Sequence, residues 1–375
     1  MIPFNKPYLH GRELVYIAQS VATGKISGDG VFTKKCHDFF ETRYGFKKVL
    51  LTTSCTDALE MTALLLDIQP GDEVIAPSYT FVSTVNAFAL RGAKIIFADS
   101  YSDHPNIDPN EILKLVTPKT KAIVVVHYAG IACDMDSIMK IANQYNIPVV
   151  EDAAQAVDGY YKERPLGSIG TFGTFSFHET KNIIAGEGGL LAINDERYIN
   201  RAEIIREKGT NRASFFRGEV AKYGWVDIGS SFLPSDIIAA YLFAQLENLD
   251  DIQTRRKQIW QRYYDNLNKS IVNSEIKLPK VAGYSTNNAH MFYLVCSDLE
   301  QRTLLIKHLK ENGVYAVFHY LSLHCSEYYQ GNYAGQNLVN SDLFTDNLVR
   351  LPLFYELTNE QVDYICEKII SFLNV

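Results

Sequence analysis

Between residues 49 and 193, short apolar runs rich in β-branched side chains alternate with helix-patterned stretches, and no other feature constrains the fold as tightly. VLLTTS (49–54) predicts a strand and CTDALEMTALLLD (55–67) a helix; EVIAP, the helical VSTVNAFALRG and the strand KIIFAD, ending at Asp99, follow. KAIVVVHY (121–128) and IPVVED (147–152) flank a helix over 136–146, and TFGTFSF and GGLLAI read as two more buried strands. Near-continuous apolar strands separated by helices predict an α/β fold with a parallel or mostly parallel sheet covered on both faces. Ligands in such sheets bind beyond the carboxyl ends of the strands. Ser54–Thr56, Asp99, His127 and Asp152 are therefore candidate site positions.

At 375 residues the chain exceeds what one core usually organises. A long amphipathic helix from Pro234 to Asn266 is expected to lead out of a large domain, 1–245, into a smaller α+β domain, 246–375. There MFYLVCSD and VYAVFHY predict strands, RTLLIKHLKENG predicts a helix, and the Tyr-, Gly- and Asn-rich segment 322–345 reads as a surface loop. The net charge of -7 argues against a nucleic-acid partner, whose binding face is basic. The apolar windows fall far short of the roughly 20 residues that cross a bilayer. MIPFNKPYLHGREL has no basic patch followed by an apolar run, so no signal peptide is expected. Six scattered cysteines without a CxxC pair predict a cytoplasmic protein with reduced thiols and no metal centre.

Lys181 lies in TFSFHETKNIIAGEGGLL, near the end of a buried strand and before a glycine-rich turn. A desolvated lysine has a depressed pKa and forms Schiff bases; the alternative is a surface lysine in a loop. Asp152 ends a strand at the ligand edge, where a carboxylate suits the ring nitrogen of pyridoxal phosphate (PLP); the alternative is a helix N-cap before AAQAV. TTSCTDAL puts small hydroxyl residues at a strand-to-helix junction, which serves a phosphate or simply caps the helix. Phe81 in PSYTFVST is a candidate ring to stack on a planar cofactor, or a core residue.

Taken together, SGDG, TTSCTDALEM, GDEVIAPSYTFVSTVNAF, HYAG, VVEDAAQA, FSFHETKN, GEGG, REKGTN, HYLSLH and LPLF resemble the sugar-nucleotide aminotransferases nearly end to end. The resemblance implies a PLP enzyme of the aspartate-aminotransferase-like fold type I, with a large mixed-sheet domain and a smaller C-terminal one. It implies a homodimer with shared active sites, in which glutamate supplies the amine and a nucleotide-linked keto sugar receives it. HETKN, REKGTNR, FFRGEV and DIGSSF are similar to the branch that aminates C4 of thymidine-diphosphate sugars for bacterial surface glycans.

Carried over by motif, Lys181 holds the cofactor covalently and moves the proton, Asp152 pairs with the ring nitrogen, and Gln155 meets the phenolic oxygen. Phe81 stacks on the ring, and Cys55, Thr56 and Ser176 hold the phosphate. Many members carry asparagine where this chain has Ser231, whose shorter side chain puts the contact to the neighbouring subunit's phosphate in question. His178 is a candidate for substrate contact or proton transfer, or a histidine packed beside the cofactor strand. Arg206, Lys208, Arg212 and Arg217 form a basic segment that either meets the diphosphate or is a solvated face. Three rivals fit less well. A PLP sugar dehydratase replaces the lysine by histidine, a regulatory relative would not need Lys181, Asp152 and Gln155 together, and a dinucleotide-binding oxidoreductase wants GxGxxG where this chain has TTSCTDA.

Overall fold

In the computed structural model, which describes residues 1–271, 274–331 and 333–373, the apolar runs become one seven-stranded sheet. The strands are β1 (Lys48–Thr52), β2 (Glu73–Pro77), β3 (Lys94–Ala98), β4 (Thr120–Val126) and β5 (Val149–Asp152), then, after the small pair β6 (Tyr160–Tyr161) and β7 (Arg164–Pro165), β8 (Phe172–Ser176) and β9 (Gly189–Ile193). Their order is β1-β9-β8-β5-β4-β2-β3. Neighbours from β8 to β3 are parallel, while β9 runs antiparallel to both β8 and β1, so the sheet is mixed with one reversed strand.

Period-two alternation divides the strand residues between two cores. Leu51, Ile75, Ile123, Val125 and Val149 face one side. Leu50, Val74, Ala76, Val124 and Val150 face the other. Helices α1 (Glu13–Ala22), α2 (Val31–Tyr44), α3 (Cys55–Leu65), α4 (Ser83–Ala89), α5 (Pro109–Leu115), α6 (Met135–Tyr145), α7 (Ile199–Arg206) and the short α8 (Arg212–Phe216) complete this part of the chain. Phe32, Phe40 and Ile138 cover the first face, and Leu59, Phe88 and Ile205 the second.

The single helix expected over 234–266 is two, α9 (Asp236–Leu246) and α10 (Leu249–Asn268). Asn248 leaves the helical region at φ -114°, ψ 16°, and its amide donates to the Ala244 carbonyl at 2.8 Å, satisfying an acceptor that the break exposes. Beyond it, β10 (Phe292–Val295), β11 (Val317–Phe318) and β12 (Leu348–Leu351) form an antiparallel sheet in the order β10-β12-β11. It is backed by α10, α11 (Leu299–Glu311) and α13 (Asn359–Leu373) around Trp260, Phe292, Leu305 and Ile365. Of VYAVFHY only Val317–Phe318 pairs as strand.

The segment 322–345 is not all loop. Val339–Asn347 is helix α12, which buries Phe344. Its N-cap position is Leu338, which has no capping side chain. Asp99 replaces the missing cap, accepting from the backbone N–H of Asn340 (3.1 Å) and Ser341 (2.8 Å) and from the Ser341 hydroxyl (2.7 Å). No helix among the described residues is long and apolar enough to cross a membrane.

Candidate active site

The carboxyl ends of β1, β2, β4, β5 and β8 open onto a cavity of about 620 Å³. Cys55, Thr56, Phe81, Asp152, Gln155, Ser176, His178 and Lys181 all line it. Residues from four separate stretches of sequence thus meet in one space, and the second sheet closes it with Arg350, His290, His319 and Tyr320.

Lys181 stands on the loop between β8 and β9, which its own backbone pins shut. Phe177 N–H donates to Gly188 O (2.8 Å), Glu179 N–H to Gly186 O (3.0 Å) and Lys181 N–H to His178 O (2.9 Å). Gly186 turns this loop at φ 80°, a left-handed conformation that glycine adopts without a Cβ penalty. The Lys181 side chain is partly buried and forms no ion pair among the described residues. Desolvation pulls its pKa below the ordinary lysine range; Cys55 and Asp152 oppose that shift and Arg350 adds to it. The result is an amine that loses its proton more readily than a surface lysine.

Asp152 is buried at the end of β5. The Thr84 hydroxyl donates to its Oδ2 (2.7 Å) and the Ala154 N–H to its Oδ1 (3.1 Å). No helix follows it, because 153–158 is a series of turns, so the N-cap alternative falls away. Burial raises the carboxyl's pKa, and the bonds from Thr84 and Ala154, with the charge of Lys181, work against that rise. This buried carboxyl lines the cavity.

At the opposite corner, α3 begins. Ser54 caps it by accepting from Asp57 N–H at 3.1 Å, and the N–H groups of Cys55 and Thr56, in the first turn, have no intrahelical partner. The Thr56 hydroxyl donates to Ser83 Oγ (2.9 Å), and Ser176 adds a third hydroxyl to the lining. The start of β9 packs closely here: a Cβ on Gly189 would lie 2.3 Å from the Ser54 carbonyl and 2.4 Å from Cys55 N. Burial pushes the Cys55 thiol well up, so it stays protonated. Phe81, 55 % exposed, stands over the cavity with its ring 6.0 Å from that of Tyr320. Hydroxyls and a helix N-terminus for a phosphate, an open aromatic face, a buried carboxylate and a deprotonatable amine form a donor set that fits a phosphorylated pyridine aldehyde.

Gln155 is fixed from both ends, since Ala129 N–H donates to its Oε1 (2.6 Å) and its Nε2 donates to Tyr320 OH (3.1 Å). His178 is partly exposed, with Nδ1 2.9 Å from the Thr180 hydroxyl and Nε2 3.7 Å from Glu187. His290 is a residue that sequence reasoning missed. The Asn182 amide donates to Gln253 Oε1 and Asn288 O (both 2.8 Å), so Asn182 Oδ1 can only accept from His290 Nδ1 (2.9 Å). That leaves His290 Nε2 as an acceptor, on a ring that burial keeps neutral.

Several expected site residues lie elsewhere. Asp99 is committed to α12. His127 is fully buried under the sheet edge, 2.9 Å from Glu151, which also accepts from the backbone of Gly167, Ile169 and Gly170. Arg206 is not on a solvated face or near the cavity: it is 4 % exposed and donates to Leu51 O (2.9 Å) and Asp29 (2.6 Å). Arg206→Ala should therefore cost about 2 kcal/mol of stability in urea denaturation and leave substrate KM unchanged. Arg212 and Arg217 pair with Glu207 (3.9 Å) and with Glu203 and Glu219 (2.8 and 2.6 Å), outside the cavity of their own chain. The Lys208 backbone N–H donates to Ser230 O, and Ser231 is exposed and bridges to Glu207. Among the described residues one trio, His324, Cys325 and Asp342, has metal-ligand types close together, away from the cavity.

A family model described as the DegT/DnrJ/EryC1/StrS aminotransferase family matches residues 7–370. Among solved structures, the aminotransferase TlmJ from Streptoalloteichus hindustanus is 28% identical, with 100% of this chain and 99% of that chain covered at a TM-score of 0.91. Spr1654 from Streptococcus pneumoniae, described as a sugar aminotransferase, is 26% identical in its PMP-form over 100% and 99% of the two chains, TM-score 0.91. Its PLP-form has also been solved. S. venezuelae DesV, in complex with a ketimine intermediate, is 26% identical over 100% and 99%, TM-score 0.91.

Proposed function

The chain belongs to the DegT/DnrJ/EryC1/StrS aminotransferase family, and from that premise we propose that it transfers the amino group of glutamate to C4 of dTDP-4-keto-6-deoxy-D-glucose. The product of this reading is dTDP-4-amino-4,6-dideoxygalactose, a precursor for surface glycans such as O-antigen or enterobacterial common antigen. The chain would thus be a dTDP-4-amino-4,6-dideoxygalactose transaminase. What supports it is one cavity lined by Lys181, Asp152 and the N-terminus of α3, together with the resemblance of HETKN, REKGTNR and DIGSSF to that branch.

Pyridoxal 5'-phosphate is the cofactor of this reading. When bound it supplies an electron sink for negative charge at the carbon that exchanges its amine. Lys181 Nζ, whose ammonium form burial disfavours, is the group that would attach the cofactor and afterwards carry the proton between the substrate's amine-bearing carbon and the cofactor. Asp152 holds positive charge on the ring nitrogen, Gln155 orients the phenolic edge and Phe81 covers the ring. The N–H groups of Cys55 and Thr56, with Ser176, take the phosphate. His178, beside Lys181 at the cavity mouth, is the proposed substrate contact.

We propose a homodimer with shared sites and a division of each chain at 245/246, in the last turn of α9. In support of the dimer, the end of α8 leaves Phe216 70 % exposed and the stretch after it leaves Trp225 82 % exposed. Arg212, Arg217 and Ser231 would then serve the neighbouring subunit, the arginines at the sugar nucleotide's diphosphate. Incubation with glutamate and dTDP-4-keto-6-deoxy-D-glucose, followed by NMR of the product, tests the substrate. An axial amine at C4 is expected; an equatorial one points to the gluco epimer. An amine at C3, or turnover only with another nucleotide sugar, overturns the assignment.

A further inference from the structure

Outside the cavity, one group of side chains has both the composition and the spacing of a metal centre. His324, Cys325 and Asp342 bring a ring nitrogen, a thiol and a carboxylate oxygen within 4.8 Å of one another. His324 Nε2 lies 3.6 Å from Asp342 Oδ2, and Cys325 Sγ lies 4.0 Å from Asp342 Oδ1. Nitrogen, sulfur and oxygen ligands around one tetrahedral zinc ion stand roughly 3.3 to 3.7 Å apart. Closing on an ion thus requires shifts of about 1 Å at most. His324 is buried and fixed, whereas the Asp342 side chain is 45 % exposed and Cys325 is exposed, so both can turn toward it. Spacing along the chain hides the group, because 17 positions separate Cys325 from Asp342.

The surroundings supply what a ligating histidine needs. Its other ring nitrogen, Nδ1, is 2.7 Å from Ser78 Oγ, which also accepts from the His324 backbone N–H at 3.3 Å. A partner at Nδ1 sets the ring's orientation and leaves Nε2 for the carboxylate side. Among the described residues, Asp342 pairs with no lysine or arginine, and His324 is its one basic neighbour. Burial, and then the charges of Asp342 and Asp346 on α12, push the Cys325 thiol up. The donors select the ion: magnesium and calcium want oxygen ligands throughout, whereas imidazole with thiolate suits zinc.

We propose that His324, Cys325 and Asp342 bind a zinc ion, with water as the fourth ligand. The carboxylate and the imidazole Nε2 donate lone pairs to the metal, and the thiol gives its proton to solvent as the metal–sulfur bond forms. The ion joins the segment ending at Cys325 to α12. That segment carries His319 and Tyr320 into the cavity wall, and Leu323 N–H already donates to Ser78 O at 3.0 Å. Zinc therefore braces that wall from outside.

The test uses the cofactor-loaded protein, freed of metal by dialysis against a chelator, with no amino acid present. Calorimetric titration with zinc chloride should show one site with a Kd on the order of 1 µM. Cys325→Ser and Asp342→Asn should each weaken binding by about 100-fold or more. Neither side chain is buried, so the metal-free variants should melt within about two degrees of the native protein. Zinc at about 100 times the native Kd should raise the native melting temperature by a few degrees and that of either variant by less than about one. Cobalt(II), used as a spectroscopic probe, should give the strong long-wavelength bands of a four-coordinate ion, beyond the cofactor's absorbance, and lose them in Cys325→Ser. Zinc affinity that survives Cys325→Ser, the weak spectrum of six-coordinate cobalt, or no binding at about 100 µM zinc would overturn the proposal. None of these readouts depends on amino transfer, so the metal site and the proposed function stand or fall separately.

Discussion

Lys181→Ala should lower amino transfer by about ten-thousand-fold or more, because it removes both the amine that attaches the cofactor and the base that moves the proton. The loss should leave the fold untouched. Lys181 makes no ion pair among the described residues, and desolvation already disfavours its ammonium, so no stabilising charge interaction disappears with it. The melting temperature should stay within a few degrees of the native value. Lys181→Arg separates the amine from the charge: a guanidinium keeps the cation but cannot act as a base at any working pH, and should be as inactive as alanine. Single-turnover rates with glutamate, measured beside thermal melts, read both quantities. An alanine variant retaining more than about one per cent of the native rate would remove Lys181 from the chemistry.

Asp152→Asn should slow the glutamate half-reaction by about a hundred- to ten-thousand-fold while the cofactor is still retained, since the ring nitrogen loses the anion that keeps it charged. The accompanying stability change distinguishes this from a structural role. The folded-state pKa of Asp152 is raised, chiefly by burial. A raised pKa means that stability from this group is present at low pH and lost as the pH rises through the folded value. Near neutral pH the ionised carboxylate is therefore a burden on the cofactor-free protein, and a neutral isostere that still accepts from Thr84 relieves it. Cofactor-free Asp152→Asn should melt at or above the native temperature at pH 7. A slowed enzyme that also melted several degrees lower would show that Asp152 acts by holding β5 and its turn together.

The part of this site legible in sequence is the part built from strand ends. The alternation over 49–193 predicts the sheet, and the sheet's carboxyl edge locates Ser54–Thr56 and Asp152. The same rule overreaches at Asp99 and His127. Their partners, Asn340 and Ser341 for one and Glu151 for the other, come from pairings that a local pattern does not carry. Helix α12 stayed hidden for the matching reason, because its cap is a carboxylate 241 residues away in sequence. The basic segment misleads at Arg206, where charge spacing along the chain says nothing of burial, and α7 turns that residue inward onto Asp29. Arg350 and His290 have no local signature at all. Arg350 sits in LVRLPLF, which reads as an ordinary strand, and becomes distinctive only when the second sheet docks against the first and Phe4 covers one face of its guanidinium. His290 becomes an acceptor only through Asn182 and its contacts to Gln253 and Asn288.

The measurement that bears most directly on the central claim is borohydride reduction of the native protein with pyridoxal phosphate, followed by digestion and mass mapping of the peptides. Reduction locks any covalent link between cofactor and lysine, so the site is read without reference to turnover or substrate. The account predicts the added cofactor mass on the peptide containing Lys181, and its disappearance in Lys181→Ala. Cofactor mass on a peptide bearing any other lysine, or none on an enzyme that still transfers amino groups, would contradict it.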